Sequence, residues 1–124
     1  MYSITIERSF SAAHAIRLPD GTLEPVHGHN WPVEVSVGSV GLDGIETVMD
    51  FHVLAAAVDG ALAELDNRHL NEVEPFVGTR VNPTAERVAW WIAQRVGRAL
   101  PAGVRLESVR VGEAPGCYAS YRPE

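Results

Sequence analysis

The sequence is poor in the features that mark an oxidising compartment, a membrane or a nucleic-acid partner. Cys117 is the single cysteine among 124 residues, so no disulfide can form within the chain, and we expect a reducing, cytoplasmic location. The net charge of −6 argues against general binding to nucleic acid. No apolar run is long enough to cross a membrane, and the first residues lack the basic and apolar regions of a signal peptide, so we expect neither feature.

Lysine is also absent, and all ten basic residues are arginine. Arginine is suited to bidentate contacts with phosphate or carboxylate, although the base composition of a genome produces the same bias. No repeat, low-complexity tract or linker divides the chain, and its length is sufficient for one hydrophobic core. The sequence therefore predicts one domain over residues 1–124.

Hydrophobic periodicity predicts strands near both ends of the chain and helices between them. Alternation with a period of two is typical of strands with one buried face, and apolar residues at helical spacing follow Asp50 and Pro83. The predicted strands cover residues 2–12, 29–40, 104–113 and 118–122, and the predicted helices cover residues 51–64 and the segment between Pro83 and Pro101. The order β-β-α-α-β-β predicts an α+β fold, with two helices on one face of a four-stranded antiparallel sheet. The edges of such a sheet are free to pair with another subunit.

Three histidines fall at the ends of the buried faces of the first two strands. His27 and His29 are two residues apart, so their side chains point to the same side of an extended chain. His14 continues the apolar side of the first strand. Neutral imidazoles that meet in this way suit zinc, and three of them leave one coordination position open, as in catalytic zinc sites. The alternative is three satisfied or exposed histidines without a metal, but the spacing favours zinc.

Four further residues are candidates for catalysis or substrate binding, and each also has a structural explanation. Glu24 lies three residues before His27, where it would accept a proton from a substrate hydroxyl at the metal, or it is a solvated loop carboxylate. Asp66 is placed to orient a group or relay a proton, whereas His69 near a helix C-terminus is favoured there for structural reasons alone. Glu113 ends a buried strand face and needs a partner, either a guanidine-like ligand edge or an arginine.

Taken together, these residues resemble the 6-pyruvoyl-tetrahydropterin synthase and 6-carboxytetrahydropterin synthase family over nearly the whole chain. The matching motifs are Phe10-Ser11-Ala12-Ala13-His14, His27-Gly28-His29, Val48-Met49-Asp50-Phe51, Leu65-Asp66, Leu70-Asn71 and Asn82-Pro83-Thr84-Ala85-Glu86. The resemblance implies the tunnelling (T-) fold and a homohexamer, assembled through sheet edges, with active sites between subunits. It also implies that zinc holds the side-chain hydroxyls of 7,8-dihydroneopterin triphosphate and that Glu113 anchors the guanidine edge of the pterin.

Two positions depart from the family pattern. The family has a cysteine four or six residues before the residue matched by His27, but none is present here and Leu23 stands four before. The histidine that follows the Leu-Asp pair in the family is Asn67 in this chain. The segment Glu24-Pro25-Val26-His27-Gly28-His29 instead resembles a subgroup with the pattern Glu-x-x-His-Gly-His. That resemblance implies cleavage of the side chain to 6-hydroxymethyl-7,8-dihydropterin for folate synthesis.

The leading hypothesis is therefore a zinc-dependent pterin lyase in which Glu24 moves protons and Glu113 holds the ring, with assistance from Asp66 and His69. One alternative is a synthase that makes 6-carboxy- or 6-pyruvoyl-tetrahydropterin, with Glu24 in place of the cysteine. A second alternative, from a different class of protein, is a homologue that binds zinc and pterin without turnover. The product formed from dihydroneopterin triphosphate separates the three.

Overall fold

Two long strands, two helices and a C-terminal hairpin make up the structure, a computed structural model that describes residues 1–124. The elements in chain order are β1 (Tyr2–His14), β2 (His27–Ser39), α1 (Phe51–Ala63), β3 (Arg68–His69), α2 (Ala85–Gly97), β4 (Arg105–Ala114) and β5 (Cys117–Tyr121), with a 3-10 turn at Leu70–Glu72 after β3. The α+β prediction is confirmed. Neither helix has the length and apolar character needed to span a membrane.

The sheet has five strands in the order β3-β1-β2-β4-β5, so the prediction of four strands was wrong by one. β1, β2, β4 and β5 are antiparallel neighbours, as predicted. The additional strand β3 pairs in parallel with β1, with Arg68 opposite Ala12 and His69 opposite Ala13. A strand of two residues is too short to show the alternation by which strands are predicted from sequence.

The first two strands are longer at one end than predicted. β1 continues to His14 and β2 begins at His27, and these two residues form the last pair of the antiparallel ladder. All three histidines of the predicted metal site therefore belong to paired strands rather than to the loop between them. Their backbone positions are fixed by the ladder.

The two helices pack on the apolar face of the sheet and close the core. Trp31 and the valines of β2 lie on this face and are almost fully buried, and the same cluster includes Leu54 and Val58 of α1 and Val88 of α2. The side chain of Asp50 accepts a hydrogen bond from the backbone N–H of His52, and Thr84 caps α2 in the same way. Both caps lie where the sequence places the helix starts.

Candidate active site

The structure brings His14, His27 and His29 together at one end of the apolar face. The ring centroid of His14 lies 4.7 Å from that of His27 and 5.3 Å from that of His29. The side chain of His14 is fully buried, whereas the side chains of His27 and His29 are 45% and 20% exposed. The cluster thus contacts the core through His14 and is accessible to solvent on the side of His27 and His29.

Trp31 forms the floor of the cluster. Its ring stacks on His29 at a centroid distance of 4.3 Å and meets the ring of His14 edge-on at 4.6 Å. The indole N–H donates a hydrogen bond to the carbonyl of Ala12 in the neighbouring strand, at 3.1 Å. A buried tryptophan with a satisfied N–H is a rigid support, so it limits the rotation of both imidazoles.

The hydrogen bonds of the three rings define which nitrogen carries the proton. In each ring Nδ1 contacts a backbone carbonyl: that of Pro83 for His14 (2.7 Å), Pro25 for His27 (3.2 Å) and Asn30 for His29 (2.9 Å). A carbonyl oxygen only accepts hydrogen bonds, so Nδ1 must donate and Nε2 of the neutral ring presents a lone pair. This is the arrangement by which backbone carbonyls orient histidine ligands of metals.

Glu113 completes a group of four potential ligand atoms. Its Oε1 lies 3.3 Å from Nε2 of His14, 3.9 Å from Nε2 of His27 and 3.7 Å from Nε2 of His29, and the four atoms all lie within 4.8 Å of one another. Nε2 of His14 and Nε2 of His29 are buried and have no hydrogen-bond partner in the chain. Ligands at 2.0–2.1 Å from a tetrahedral zinc ion are about 3.3–3.4 Å apart. The donor set therefore suits zinc, and its shortest separation, 3.3 Å between Glu113 and His14, matches that of two ligands on one ion.

The chain after His14 is held by two asparagine side chains that take the place of a neighbouring strand. The amide of Asn71 accepts from the N–H of Ala15 at 2.9 Å and donates to the carbonyl of Ala15 at 2.8 Å. Asn82 makes the same pair of bonds with Arg17, at 2.8 and 3.0 Å. The two asparagines belong to the motifs of the resemblance, and their contacts show that they position the backbone next to the first histidine.

Glu24 lies beside this segment, on the outer side of His27. Its Oε1 accepts a hydrogen bond from the N–H of Ile16 at 3.0 Å and lies 3.9 Å from Nδ1 of His27. The backbone N–H of Glu24 donates to the carbonyl of Ile16, also at 3.0 Å. The side chain is 31% exposed, and its second oxygen makes no hydrogen bond within the chain. Glu24 thus has one anchored oxygen and one free to accept a proton.

The structure does not place Asp66 and His69 in the group formed by His14, His27, His29 and Glu113. Oδ1 of Asp66 accepts a hydrogen bond from the N–H of Ser11 at 2.9 Å. His69 pairs with Glu72, with Nδ1 3.5 Å from Oε1, and its Nε2 is buried without a partner. His69 lines an open cleft of about 630 Å³ that also reaches His29, and the other polar lining residues are Ser11, Asn30, Asn67 and Arg68.

The local backbone explains why an asparagine is accommodated after Asp66. Asn67 has a φ of 58°, in the left-handed region where asparagine is favoured over most other residues. Its N–H donates to the carbonyl of Ser11 at 2.6 Å. Asn67 therefore forms the turn that brings β3 against β1.

A smaller cleft of about 260 Å³ opens next to Glu113. Its polar and aromatic lining comes from Thr84, Glu86, Glu113, Cys117 and Tyr118. Thr84 and Glu86 are recognisable from the sequence only as parts of a motif at the start of α2, because their approach to β4 and β5 depends on how the helix packs. Of the predicted site residues, Glu113 alone belongs both to this cleft and to the metal-ligand group.

Comparison with known proteins gives matches along nearly the full chain. Residues 3–124 match a family model described as 6-pyruvoyl tetrahydropterin synthase. The dihydroneopterin monophosphate aldolase of Pyrococcus furiosus is 38% identical over 110 residues, covering 89% of this chain and 88% of the relative. The 6-carboxy-5,6,7,8-tetrahydropterin synthase of Synechocystis sp. is 37% identical over 126 residues, covering 98% and 93%.

A solved structure gives the same result for the fold. The 6-pyruvoyl tetrahydropterin synthase of Caenorhabditis elegans superposes with a TM-score of 0.77 at 27% identity, and the alignment covers 100% of this chain and 98% of that one. The matched relatives carry out different reactions under their printed names. Overall similarity therefore does not distinguish an aldolase from a synthase, and the distinction depends on individual residues of the site.

Proposed function

Since the chain belongs to the 6-pyruvoyl tetrahydropterin synthase family, we propose that it is a zinc-dependent lyase that cleaves the side chain of 7,8-dihydroneopterin triphosphate or monophosphate. The products are 6-hydroxymethyl-7,8-dihydropterin and a phosphorylated glycolaldehyde. The observation that carries this proposal is Glu24, a carboxylate with a free oxygen beside His27, in the loop where no cysteine is present. The aldolase name of the Pyrococcus furiosus relative supports the same reaction, and names the monophosphate.

The metal would be held by His14, His27 and His29, whose Nε2 lone pairs converge. Zinc bound there would lower the pKa of a coordinated side-chain hydroxyl. The protein's own contribution is orientation, because the carbonyl partners of Nδ1 and the stacking on Trp31 fix each ring before any ligand arrives.

Glu24 would act as the general base. The carboxylate of Glu24 takes the proton of the hydroxyl on the second carbon of the pterin side chain. The bond between the first and second carbons then breaks, and the electron pair of that bond moves into the dihydropterin ring. The first carbon then gains a proton and becomes the hydroxymethyl group, so atoms and charge balance without a further reagent. The hydrogen bond from the N–H of Ile16 holds Glu24 in place.

The pterin ring would occupy the cleft of about 260 Å³ beside Glu113. The guanidine edge of a pterin presents two adjacent N–H donors, which suits a carboxylate acceptor. An arginine was the alternative partner for Glu113, but none of the ion pairs in the chain joins Glu113 to an arginine. Its carboxylate is therefore available for a ligand.

Asp66 and His69 would act in the site of an adjacent subunit, because within one chain neither belongs to the metal-ligand group. This arrangement requires an oligomer, and we propose the homohexamer implied by the family resemblance. The terminal strands β3 and β5 each have one edge that is unpaired within the chain, which leaves backbone groups for contacts between subunits.

Light scattering should accordingly give a mass six times the 13.5 kDa of one chain. The measurement belongs at micromolar protein concentration, with zinc present, because linkage makes assembly depend on concentration and ligands. A monomeric mass under these conditions would contradict both the hexamer and the proposal that Asp66 and His69 serve a neighbouring site.

A synthase reaction is the second candidate, and it is supported by the 37% identity to the Synechocystis 6-carboxy-5,6,7,8-tetrahydropterin synthase. Incubation with dihydroneopterin triphosphate and, separately, with the monophosphate should decide between the two. Chromatography with mass spectrometry should detect 6-hydroxymethyl-7,8-dihydropterin. A 6-carboxy- or 6-pyruvoyl-tetrahydropterin product would replace the proposed lyase with a synthase. Zinc and pterin binding with no product would identify a binding protein without turnover.

A further inference from the structure

We propose that Glu113 has two alternating partners: it is the fourth ligand of the metal in the enzyme without substrate, and it leaves the metal when a pterin ring binds. This inference rests on the proposed function, because it assumes that the ring binds beside Glu113. It differs from a fixed anchoring role in that recognition of the ring and opening of the metal site become one event.

The position of the carboxylate is the first observation. Oε1 of Glu113 lies 3.3 Å from Nε2 of His14 and within 3.9 Å of the corresponding atoms of His27 and His29. The shortest of these distances equals the separation of two ligands around one tetrahedral zinc ion, about 3.3–3.4 Å, and the other two are longer by about 0.3–0.6 Å. Four lone-pair atoms facing one another repel unless a cation lies between them, so the geometry describes a ligand set of three imidazoles and one carboxylate.

The second observation is the location of Glu113 at the boundary of two spaces. The residue belongs to the metal-ligand group and also lines the cleft of about 260 Å³ that it shares with Thr84 and Tyr118. Its side chain is 37% exposed, in contrast to the fully buried side chain of His14. Rotation about the side-chain bonds of Glu113 would exchange one partner for the other.

The exchange of partners would change the number of protein ligands on the metal. A zinc ion with four protein ligands is closed, as in structural sites, whereas a catalytic ion has an open position. A guanidine edge with two parallel N–H donors competes for the carboxylate by forming a charge-assisted, bidentate pair. Binding of the ring would withdraw Glu113 and make the fourth position available only when a pterin is present. Other small ligands would then be excluded from the resting site.

Zinc affinity in the absence of pterin tests the first half of the proposal. Glu113→Gln should weaken zinc binding by about tenfold or more in competition with a chromophoric chelator, because an amide oxygen is a poorer ligand than a carboxylate. Loss even of groups that only support a ligand costs 10–100-fold. Glu86→Gln is the matched control, since Glu86 lines the same cleft but lies outside the metal-ligand group. Equal zinc affinity in the Glu113→Gln variant and the wild type would overturn the proposal.

The visible spectrum of the cobalt-substituted protein tests the second half. Saturation with 7,8-dihydropterin, a ring without side-chain hydroxyls, should change the absorption of the cobalt ion in the wild type, because Glu113 leaves the ligand set. The same ligand should leave the spectrum of Glu113→Gln unchanged. Ring fluorescence measures saturation independently. An unchanged wild-type spectrum overturns the exchange, and so does failure of the ring to bind, because the ring alone must withdraw Glu113.

These readouts are separate from turnover. A wild type that shows the zinc and cobalt results but forms no 6-hydroxymethyl-7,8-dihydropterin would refute the proposed reaction and leave the exchange of Glu113 intact. A wild type that forms this product while Glu113→Gln retains full zinc affinity would refute the exchange of Glu113 and leave the proposed reaction intact.

Discussion

Replacement of His27 by alanine should remove zinc from the protein while leaving the fold intact. His27 supplies one of three Nε2 lone pairs, and its side chain is 45% exposed, so its removal leaves no sealed cavity in the core. We expect zinc affinity to fall at least about a hundredfold, since loss of groups that only support a metal ligand already costs 10–100-fold. Metal analysis after dialysis measures the loss, and circular dichroism checks the fold.

The matched control is His52→Ala. His52 lies in the first turn of α1, 99% exposed, with Nδ1 3.2 Å from Asp50 and outside the metal-ligand group. This variant should retain the zinc content of the wild type. His14→Ala is a less specific test, because the fully buried ring of His14 packs against Trp31 and its loss would also create a cavity. Full zinc retention by His27→Ala would refute the three-histidine site.

Replacement of Glu24 by glutamine should retain zinc and pterin binding but slow turnover by at least about a hundredfold, the lower end of the range for general acid–base catalysis. The amide oxygen of glutamine can still accept the hydrogen bond from the N–H of Ile16, so the loop keeps its geometry. The change removes only the capacity to take a proton. Rates of product formation at saturating substrate measure the effect directly.

Asp20→Asn serves as the control within the same loop. Hydrogen bonds from the hydroxyl and the backbone N–H of Thr22 lower the pKa of Asp20, and its role is confined to this turn. Its replacement should leave the rate close to that of the wild type. If Glu24→Gln forms 6-hydroxymethyl-7,8-dihydropterin as fast as the wild type, Glu24 is a bystander. If Glu24→Cys yields a tetrahydropterin, the residue at this position selects the reaction.

The long strands and their buried faces were predictable because each has one face in the core. Trp31, Val33, Val35 and Val37 are buried along β2 while the residues between them are not, as a period of two requires. The helix starts were predictable for an equally local reason, since Asp50 and Thr84 cap helices through their own side chains. The sequence was sufficient to predict a feature wherever that feature depends on residues of a single helix or strand.

Features that depend on two distant segments were not predictable in this way. β3 exists because the turn at Asn67 returns the chain to β1, and two residues carry no periodicity. The segregation of His69 from the metal-ligand group follows from that pairing. Glu113 was expected at the end of a buried face, but its approach to His14 depends on the register in which Val111 of β4 faces Val33 of β2. No local pattern encodes that register.

The partners of the three imidazole rings have a consequence for divergence within the family. Each of the three Nδ1 atoms donates a hydrogen bond to a backbone carbonyl, so the orientation of the rings does not depend on the identity of a neighbouring side chain. Point substitutions around the cluster can change side chains while the main chain continues to aim the same three nitrogens. A new reaction can then be acquired by substitution of single residues such as the one at position 24, while the three ligand nitrogens keep their positions. A scaffold of this kind can evolve its reaction and its metal affinity independently.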